Sequence, residues 1–333
     1  MTARSPLRAG LIGLGMMGRN HARVLRSIDG VELVAVADPL GDPHQVSGDL
    51  EVAAGVSELI AAGIDYCVVA VPTAYHHAIA MELAANGVHA LIEKPLAATS
   101  AEAADIVAAF DAAGLVGGVG HIERYNPALQ QARSRLAAGD LGEVFQVATR
   151  RQGPFPARIA DVGVVKDLGT HDIDLTAWVT QQRYSRVAAQ TAHRSGRPHE
   201  DLIAITGELA NGTVTNHLVN WLSPMKERMT TITGEKGAFV ADTLTADLTF
   251  YANGSVPTEW AQIAGFRGVS EGDMVRYSFA KPEPLRTEHE AFRDAVNGVR
   301  SDIVSLEEGA RTLAVAEAAL VSAQTGTTQD LSG

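Results

Sequence analysis

The sequence of 333 residues contains a single cysteine, a deficit of basic residues and no long apolar run. The one cysteine, Cys67, excludes a disulfide within the chain and favours a reducing compartment such as the cytoplasm. No stretch of about 20 apolar residues is present, so we expect neither a transmembrane helix nor an uninterrupted signal-peptide core. Lys and Arg number 27 against 39 Asp and Glu, a net charge of −12. This acidity argues against a nucleic-acid-binding surface.

Short apolar runs alternate with helical patterns over residues 1–121. The runs Leu7–Ile12 and Val31–Ala37 are predicted strands, and the nearly continuous apolar character of the second is typical of a strand covered on both faces. Ser100–Ala113 is one of the predicted helices between strands, with Ser100 as its N-cap. This alternation predicts a parallel sheet with helical crossovers.

The pattern changes in residues 122–333, where longer alternating strands appear. Two of them, Asp201–Ala210 and Thr213–Trp221, flank Asn211-Gly212, a strong hairpin signal. We expect an antiparallel sheet of about five or six strands, followed by two helices near the C-terminus. The predicted second domain is therefore α+β, with a large open antiparallel sheet.

A glycine-rich turn joins the first predicted strand to the first predicted helix. Gly13 permits a tight turn, Gly15 lets the backbone approach a pyrophosphate, and Gly18 allows close packing of the helix on the strand. The backbone N–H groups at the start of the helix, at Met16 and Met17, favour negative charge. The turn predicts a Rossmann-type dinucleotide-binding domain, so the expected fold class is α/β with a Rossmann parallel sheet first.

Asp38 lies twenty residues after Gly18 and directly follows the second predicted strand. A carboxylate at this point can hold the adenosine ribose hydroxyls and repels a 2′-phosphate, which favours NAD over NADP. The alternative interpretation is that Asp38-Pro39 merely starts a turn.

Three further segments carry polar side chains: Val71-Pro72-Thr73-Ala-Tyr-His76, Glu93-Lys94-Pro95 and Asp167-Leu-Gly-Thr-His171-Asp172-Ile-Asp174. The first two follow predicted parallel strands, whose carboxyl ends border the ligand crevice of an open α/β sheet. Both segments should therefore lie near the glycine turn.

With these residues the chain resembles the Gfo/Idh/MocA family, the glucose–fructose oxidoreductase and inositol dehydrogenase group, over nearly its whole length. The resemblance implies a Rossmann domain followed by an open-sheet domain, with sugars or cyclitols as substrates. It also implies that Lys94, Asp167 and His171 form the catalytic set. The residues that it places at the cofactor site are Pro72, Thr73, His76, Glu93 and Lys94.

The chemistry of these side chains suits oxidation of a secondary alcohol, which needs a base for the hydroxyl proton. His171 can accept a proton near neutral pH, and Lys94 can stabilise negative charge on the reacting oxygen. Asp167 lies four residues before His171, so in a helix its carboxylate could orient the imidazole. The sequence leaves open whether Lys94 or His171 takes the proton. No cysteine or second well-placed histidine supports a metal site, and none is predicted.

The segments GHIERYNP (120–127) and RQGPFPAR (151–158) resemble a subgroup of the family that oxidises the C3 hydroxyl of UDP-N-acetylglucosamine or its uronic acid. The candidate substrate contacts by that resemblance are His121, Arg124, Asn126, Arg151 and Arg158. The planar guanidinium suits a diphosphate or carboxylate, although such arginines also form ordinary salt bridges.

Two other functions stay open from the sequence. One is a dehydrogenase or ketoreductase of a free sugar, a cyclitol or a deoxysugar nucleotide, and the other is a non-catalytic NAD- or sugar-sensing protein. The presence of Lys94, Asp167 and His171 counts against a sensor, which needs no proton-transfer groups. Since an open sheet leaves an apolar face uncovered, we also expect a homodimer or homotetramer formed through the C-terminal sheet.

Overall fold

The computed structural model describes residues 5–156, 162–254 and 271–331. The chain divides into two compact units. The first comprises the chain up to Ile122 together with Glu283–Glu317, and the second comprises Glu123–Pro282 together with the chain from Ala318. The sequence prediction puts all of residues 122–333 in one domain, so it differs from these units in the segment that returns to the first. Composition and pattern show where one type of secondary-structure pattern gives way to another. They do not show that a later segment, Glu283–Glu317, belongs to the first unit.

A six-stranded parallel sheet forms the centre of the first unit. Its strands are β1 (Leu7–Ile12), β2 (Val31–Ala37), β3 (Val52–Ala53), β4 (Tyr66–Val69), β5 (His89–Glu93) and β6 (Gly117–Gly120). Their order in the sheet is β3-β2-β1-β4-β5-β6. The order reverses between β1 and β4, which is the point where such sheets bind dinucleotides.

Helices cover both faces of this sheet. They are α1 (Met16–Leu25), α2 (Val56–Ala61), α3 (His76–Ala85), α4 (Ser100–Ala113), α7 (Pro284–Val296) and the first part of α8 (Leu306–Thr325). Leu83 and Phe110 belong to the apolar layer on one face, and Leu25 and Phe292 to the layer on the other. Burying one such side chain stabilises the fold by about 1.5–3 kcal/mol, so the two layers hold the strand ends firmly in place.

Helix α4 shows a local error of the sequence prediction. Its N-cap is Thr99 and not Ser100. The Thr99 hydroxyl accepts the backbone N–H of Glu102 at 3.2 Å, and the Glu102 carboxylate accepts the backbone N–H of Thr99 at 3.3 Å. Both residues are good capping types, and the glutamate three positions after Thr99 decides between them.

The second unit is built on a nine-stranded sheet, so the predicted five or six strands were too few. Its strands are β7 (Val144–Pro154), β8 (Tyr184–Ala192), β9 (Leu202–Leu209), β10 (Val214–Asn220), β11 (Leu222–Gly234), β12 (Gly237–Asp242), β13 (Asp247–Asn253), β14 (Glu271–Arg276) and β15 (Gln329–Asp330). The order is β14-β13-β12-β11-β7-β10-β9-β8-β15. Most pairs are antiparallel as predicted, but β7 and β10 run parallel. The Asn211-Gly212 hairpin is confirmed, with Gly212 at φ +86° and Val214 opposite Glu208.

Two helices, α5 (Pro127–Ala137) and α6 (Thr170–Thr180), pack on one face of this sheet. Strand β7 alternates strictly there, so that Val147, Thr149 and Arg151 are all buried. Two of these three side chains are polar, and burial requires partners for them. Among the residues described, no helix is both long enough and apolar enough to cross a bilayer.

Candidate active site

The glycine turn of the first unit is tightly packed on one side. Gly13 has φ +94°, and a Cβ there would lie 2.4 Å from the carbonyl oxygen of Ala70. A Cβ on Gly18 would lie 1.9 Å from the carbonyl oxygen of Gly13. Both positions therefore require glycine, Gly13 for its backbone conformation and Gly18 for the close approach of α1 to the turn.

The other side of the turn is open. A Cβ added at Gly15 would meet no atom within 4 Å, and no side chain caps the N-terminus of α1. Met16 begins the helix with a largely exposed side chain, and Met17 is half-buried. An open N-terminus with a glycine at the point of approach fits a pyrophosphate group, so the residues present fit a dinucleotide.

Asp38 follows β2 and is held against the same turn. Its Oδ2 accepts the backbone N–H of Leu14 at 2.8 Å, and its Oδ1 accepts the backbone N–H of Leu40 at 2.9 Å. A carboxylate oxygen can accept two hydrogen bonds, so each Asp38 oxygen still has capacity for a ribose hydroxyl. The turn interpretation and the ribose interpretation are therefore compatible with one another.

The loop after β4 is tied to the loop after β5 by His76. The Nδ1 of this buried ring lies 2.9 Å from the carbonyl oxygen of Pro95, and its Nε2 lies 3.0 Å from that of Val71. Burial lowers the pKa of His76 from its ordinary value, although these carbonyls oppose the shift. Thr73 is buried beside it, whereas Pro72 is exposed.

Glu93 and Lys94 lie at the carboxyl end of β5. The Glu93 Oε2 accepts the backbone N–H of Lys94 at 3.1 Å, and Oε1 lies 2.9 Å from the Nε2 of His21. Burial would raise the pKa of Glu93, but the hydrogen bond from His21 and the charge of Lys94 outweigh burial and lower it. Lys94 is half-buried and is followed by a cis peptide bond to Pro95. His121, just beyond β6, is buried at the same edge of the sheet.

In the second unit, Asp167 and His171 lie on either side of a change in helix type. Val165–Gly169 forms a π-helical turn that runs directly into α6. Asp167 is buried within this turn, and His171 is half-buried in the first turn of α6. Single π turns inside helices are frequent at functional sites because they reorient the side chains around them.

Two buried arginines form ion pairs with the aspartates that follow His171. The Arg151 Nε donates to Asp172 at 2.6 Å, and its Nη1 donates to Glu123 at 2.7 Å. Arg124 makes a bidentate pair with Asp174 at 2.8 and 2.7 Å. The charge of Asp172, with that of Glu123, raises the pKa of Arg151 despite burial. Two of the three arginines predicted to contact substrate thus form ion pairs with α6.

The remaining substrate candidates differ from one another. Asn126 is the N-cap of α5: its Oδ1 accepts the backbone N–H of Ala128 at 3.0 Å, and its Nδ2 donates to the carbonyl of Thr243 at 3.0 Å. Arg158 lies outside the described residues.

In the described ranges, no group of three or more His, Cys, Asp and Glu side chains is arranged to hold a metal ion.

Sequence reasoning missed a buried polar chain behind Asp172. The Thr149 hydroxyl donates to Asp172 at 2.9 Å and lies 2.8 Å from the Nδ1 of His217, whose Nε2 lies 2.8 Å from the Tyr184 hydroxyl. Burial lowers the pKa of His217 to about 4, against the opposing charge of Asp172. The alternation of β7 and β10 places Thr149 and His217 on the buried face, which was the available signal.

Sequence reasoning also missed Arg228, which pairs across the sheet with Arg151. Its Nη1 donates to the carbonyl of Gln152 at 2.7 Å and to that of Glu227 at 2.8 Å. Burial, together with the charge of Arg151, lowers its pKa from the ordinary value. Nothing in the local sequence separates this arginine from a surface residue of β11.

Comparisons with known proteins cover most of the chain. The oxidoreductase family with an NAD-binding Rossmann fold matches residues 7–121, and the GFO/IDH/MocA C-terminal domain matches residues 129–240. A UDP-N-acetylglucosamine 3-dehydrogenase from Acidithiobacillus ferrooxidans is 30% identical over 317 residues, 93% of this chain and 95% of that relative. An inositol 2-dehydrogenase from Saccharopolyspora erythraea is 28% identical, over 96% of this chain and 95% of that relative.

Solved structures are also similar to this chain over nearly its whole length. UDP-N-acetylglucosamine 3-dehydrogenase GnnA from Acidithiobacillus ferrooxidans has a TM-score of 0.82 at 27% identity, covering 97% of this chain and 99% of that chain. The WlbA dehydrogenase from Bordetella pertussis, solved with NADH and UDP-GlcNAcA, has a TM-score of 0.83 at 22% identity, covering 100% of this chain and 99% of that one. The second comparison shows a common fold.

The parallel sheet, its glycine turn and the matching family together define an NAD-binding oxidoreductase. The similarity extends through both units at 30% identity. The chain belongs to the Gfo/Idh/MocA family, and it is a dehydrogenase that acts on a CH–OH group.

Proposed function

We propose that this chain oxidises the C3 hydroxyl of a UDP-N-acetylhexosamine, with hydride transfer to NAD. The observation that carries the proposal is the 30% identity over 93% of the chain to a UDP-N-acetylglucosamine 3-dehydrogenase. Lys94, Asp167 and His171 supply the proton-handling groups that such an oxidation needs.

The first unit binds and orients the cofactor in this proposal. When bound, NAD accepts the hydride on its nicotinamide ring. The open N-terminus of α1 at Gly15 holds the pyrophosphate, and Asp38 holds the adenosine ribose. Lys94, at the carboxyl end of β5, hydrogen-bonds the reacting oxygen and stabilises negative charge on it. Asp38 also supports NAD over NADP, because its carboxylate would repel a 2′-phosphate.

The second unit contributes His171, which takes the hydroxyl proton or assists Lys94 in doing so. The carboxylate of Asp167, buried four residues before His171, orients its imidazole in this proposal. Because Asp172 and Asp174 are bound by buried arginines, α6 is fixed directly beside His171. We assign Arg151 and Arg124 to this positioning role, and we keep direct substrate contact as the prediction for His121 and Arg158.

Free sugars and cyclitols are the second candidate substrates. The full-length similarity to an inositol 2-dehydrogenase, at 28% identity, favours them. The same residues would catalyse the reverse ketone reduction, since proton transfer is reversible at the same groups. A non-catalytic sensor would have no use for the acid–base groups.

A substrate panel tests the proposal. Purified protein and NAD are mixed separately with UDP-N-acetylglucosamine, UDP-glucose, glucose and myo-inositol, and NADH formation is followed by absorbance. We expect turnover with UDP-N-acetylglucosamine and none with glucose. Turnover with myo-inositol alone would mean that the substrate is a cyclitol and not a UDP-N-acetylhexosamine. No turnover with any of the four compounds, together with normal NAD binding, would favour a sensor.

We propose that two or four copies associate through the C-terminal sheet, in the cytoplasm. The face of this sheet opposite α5 and α6 carries exposed apolar side chains, among them Val214, Tyr251 and Met274. An apolar face of this kind is buried when two sheets pair across a two-fold axis. Light scattering at micromolar concentration should give a mass of two or four chains, and a monomer would contradict the proposal.

The cytoplasmic location rests on the single, fully buried Cys67.

A further inference from the structure

A buried chain of polar side chains in the first unit ends on Glu93, and its two histidines have no part in the roles assigned above. His21 of α1 has no exposed surface, and its Nε2 lies 2.9 Å from the Oε1 of Glu93. The Nδ1 of His21 lies 2.8 Å from the Nε2 of His289 on α7. The other oxygen of Glu93 accepts the backbone N–H of Lys94. The chain His289–His21–Glu93 therefore leads to the backbone of Lys94.

The charge states of this chain follow from its hydrogen bonds. A carboxylate only accepts, so the His21 Nε2 carries the hydrogen that Glu93 receives. Burial and the neighbouring His21 hold the pKa of His289 well below its ordinary value, so His289 is neutral. A neutral imidazole has one donor and one acceptor nitrogen. The Nε2 of His289 can therefore either donate a hydrogen bond to the Nδ1 of His21 or accept one from it.

Glu288 keeps the negative charge of this region on Glu93. Its side chain is buried, and neither of its oxygens hydrogen-bonds to any residue in the described part of the chain. Burial, with the charge of Glu93, raises the pKa of Glu288 well above its ordinary value and so favours its neutral form. The pKa of Glu93 is lowered instead, so its ionised form is favoured, and its oxygens bind His21 and the Lys94 N–H.

We propose that His21 and His289 are positioning residues for the dehydrogenase reaction: they fix the Glu93 carboxylate, and through it the backbone that presents Lys94. The proposal rests on the role given to Lys94 under the proposed function. A displacement of about 1 Å at a reacting group can cost about 100-fold in rate, so loosening this chain lowers kcat more than it weakens NAD binding.

Two substitutions at His289 test the proposal. His289→Leu keeps the burial and removes the partner of the His21 Nδ1, whereas His289→Gln keeps an amide that can donate or accept. We expect kcat to fall about 10-fold in His289→Leu and to recover to within about threefold in His289→Gln, with the KM for NAD changed by less than about twofold in both. A wild-type kcat in His289→Leu, or an equal loss in both variants, would overturn the proposal.

The matched control is His89→Leu, the same substitution at the opposite end of β5. The Nδ1 of His89 accepts the backbone N–H of Val116 at 2.9 Å, so this variant also loses a partly buried hydrogen bond. Because His89 is remote from Lys94 along the strand, we expect a lower Tm and an unchanged kcat. A kcat loss equal to that of His289→Leu would mean that general destabilisation explains both.

A second readout needs no turnover. Histidine ring ¹⁵N NMR spectra of the full-length protein near neutral pH should show His289 neutral and the His21 Nε2 protonated. His289→Leu should shift the ring resonances of His21 and leave those of His217 unchanged. Unshifted His21 resonances would contradict the hydrogen-bond chain itself. A wild type that oxidises no sugar would instead contradict the proposed function and, with it, the catalytic consequence of the chain.

Discussion

Residues that do not react still decide where the reacting side chains lie. Arg151 and Arg124 bind Asp172 and Asp174, which follow His171 near the start of α6. Both pairs are buried, and removing one partner of a buried ion pair costs about 3–5 kcal/mol because the other charge is left without compensation. The sequence indicated that these arginines matter. It could not distinguish a substrate phosphate from an aspartate as their partner, since both offer the same oxygens to a guanidinium.

The acid–base groups can be tested one at a time. Lys94→Ala and His171→Ala should each lower kcat by at least about 100-fold, because each removes a group that moves or stabilises charge in the reaction. NAD binding, measured by calorimetry, should stay intact in both. Lys281→Ala is the control, an exposed lysine paired with Asp247 in the second unit. Near-normal kcat in either test variant would remove that residue from the mechanism.

Asp38 can be tested through cofactor preference. Asp38→Ser combined with Leu40→Arg removes the carboxylate and adds a guanidinium at a side chain that is 90% exposed. The ratio of NADP to NAD affinity should rise by about 10-fold or more, the effect of one charged hydrogen bond gained or lost. Leu40→Arg alone controls for the added charge and should change the ratio less. An unchanged ratio in the double variant would show that Asp38 does not contact the ribose.

At the scale of elements, the alternation of strands and helices was predictable wherever burial was uniform. The first unit follows the prediction because VELVAVA and its neighbours are covered on both faces. The second sheet was undercounted because β8 lacks regular alternation and β15 has only two residues. The parallel pair β7–β10 depends on contacts between distant segments, which local pattern does not contain.

The glycine turn predicts opposite outcomes at two neighbouring glycines. Gly15→Ala meets no atom within 4 Å, so the variant should fold with an unchanged Tm and lose affinity for NAD, because its methyl group occupies the approach of the pyrophosphate. Gly18→Ala places a Cβ 1.9 Å from a backbone oxygen, so its Tm should fall as α1 is pushed away from the turn. Thermal unfolding and NAD titration of both variants check this. Equal NAD affinity in Gly15→Ala and the wild type would contradict the pyrophosphate assignment.

The buried chain that joins β7, β8 and β10 predicts a pH dependence of stability. Burial lowers the pKa of His217 from 6.5 to about 4, so between these values the unfolded state binds a proton that the folded state does not. The stabilisation is complete above pH 6.5 and is lost as the pH falls towards 4. The loss from about pH 7.5 to about pH 5 amounts to about 2 kcal/mol.

Urea denaturation measures this loss. Trp178 and Trp221 are buried in the second unit, so their fluorescence follows its unfolding. His217→Gln cannot titrate and should lose about 2 kcal/mol less than the wild type over the same pH interval. Equal losses in the two proteins would show that His217 is protonated in the folded state.

At the scale of the whole chain, sequence motifs predicted the class of reaction better than the arrangement of the polypeptide. The residues that carry the chemistry follow strands or begin helices, where local pattern is informative. The return of Glu283–Glu317 to the first unit brings His289 beside His21, and no local sequence pattern predicts that contact. The further inference therefore depends on the fold, whereas the proposed reaction is supported by motif and similarity.

The most direct test of the proposed reaction follows the hydrogen at C3. The enzyme is incubated with NAD and UDP-N-acetylglucosamine carrying deuterium on C3, and the NADH produced is examined by mass spectrometry. Direct transfer from C3 predicts NADH heavier by the mass of one deuterium substitution and a slower turnover than with unlabelled sugar. NADH of ordinary mass would show that the hydride comes from another carbon, and the absence of NADH would contradict the proposed substrate.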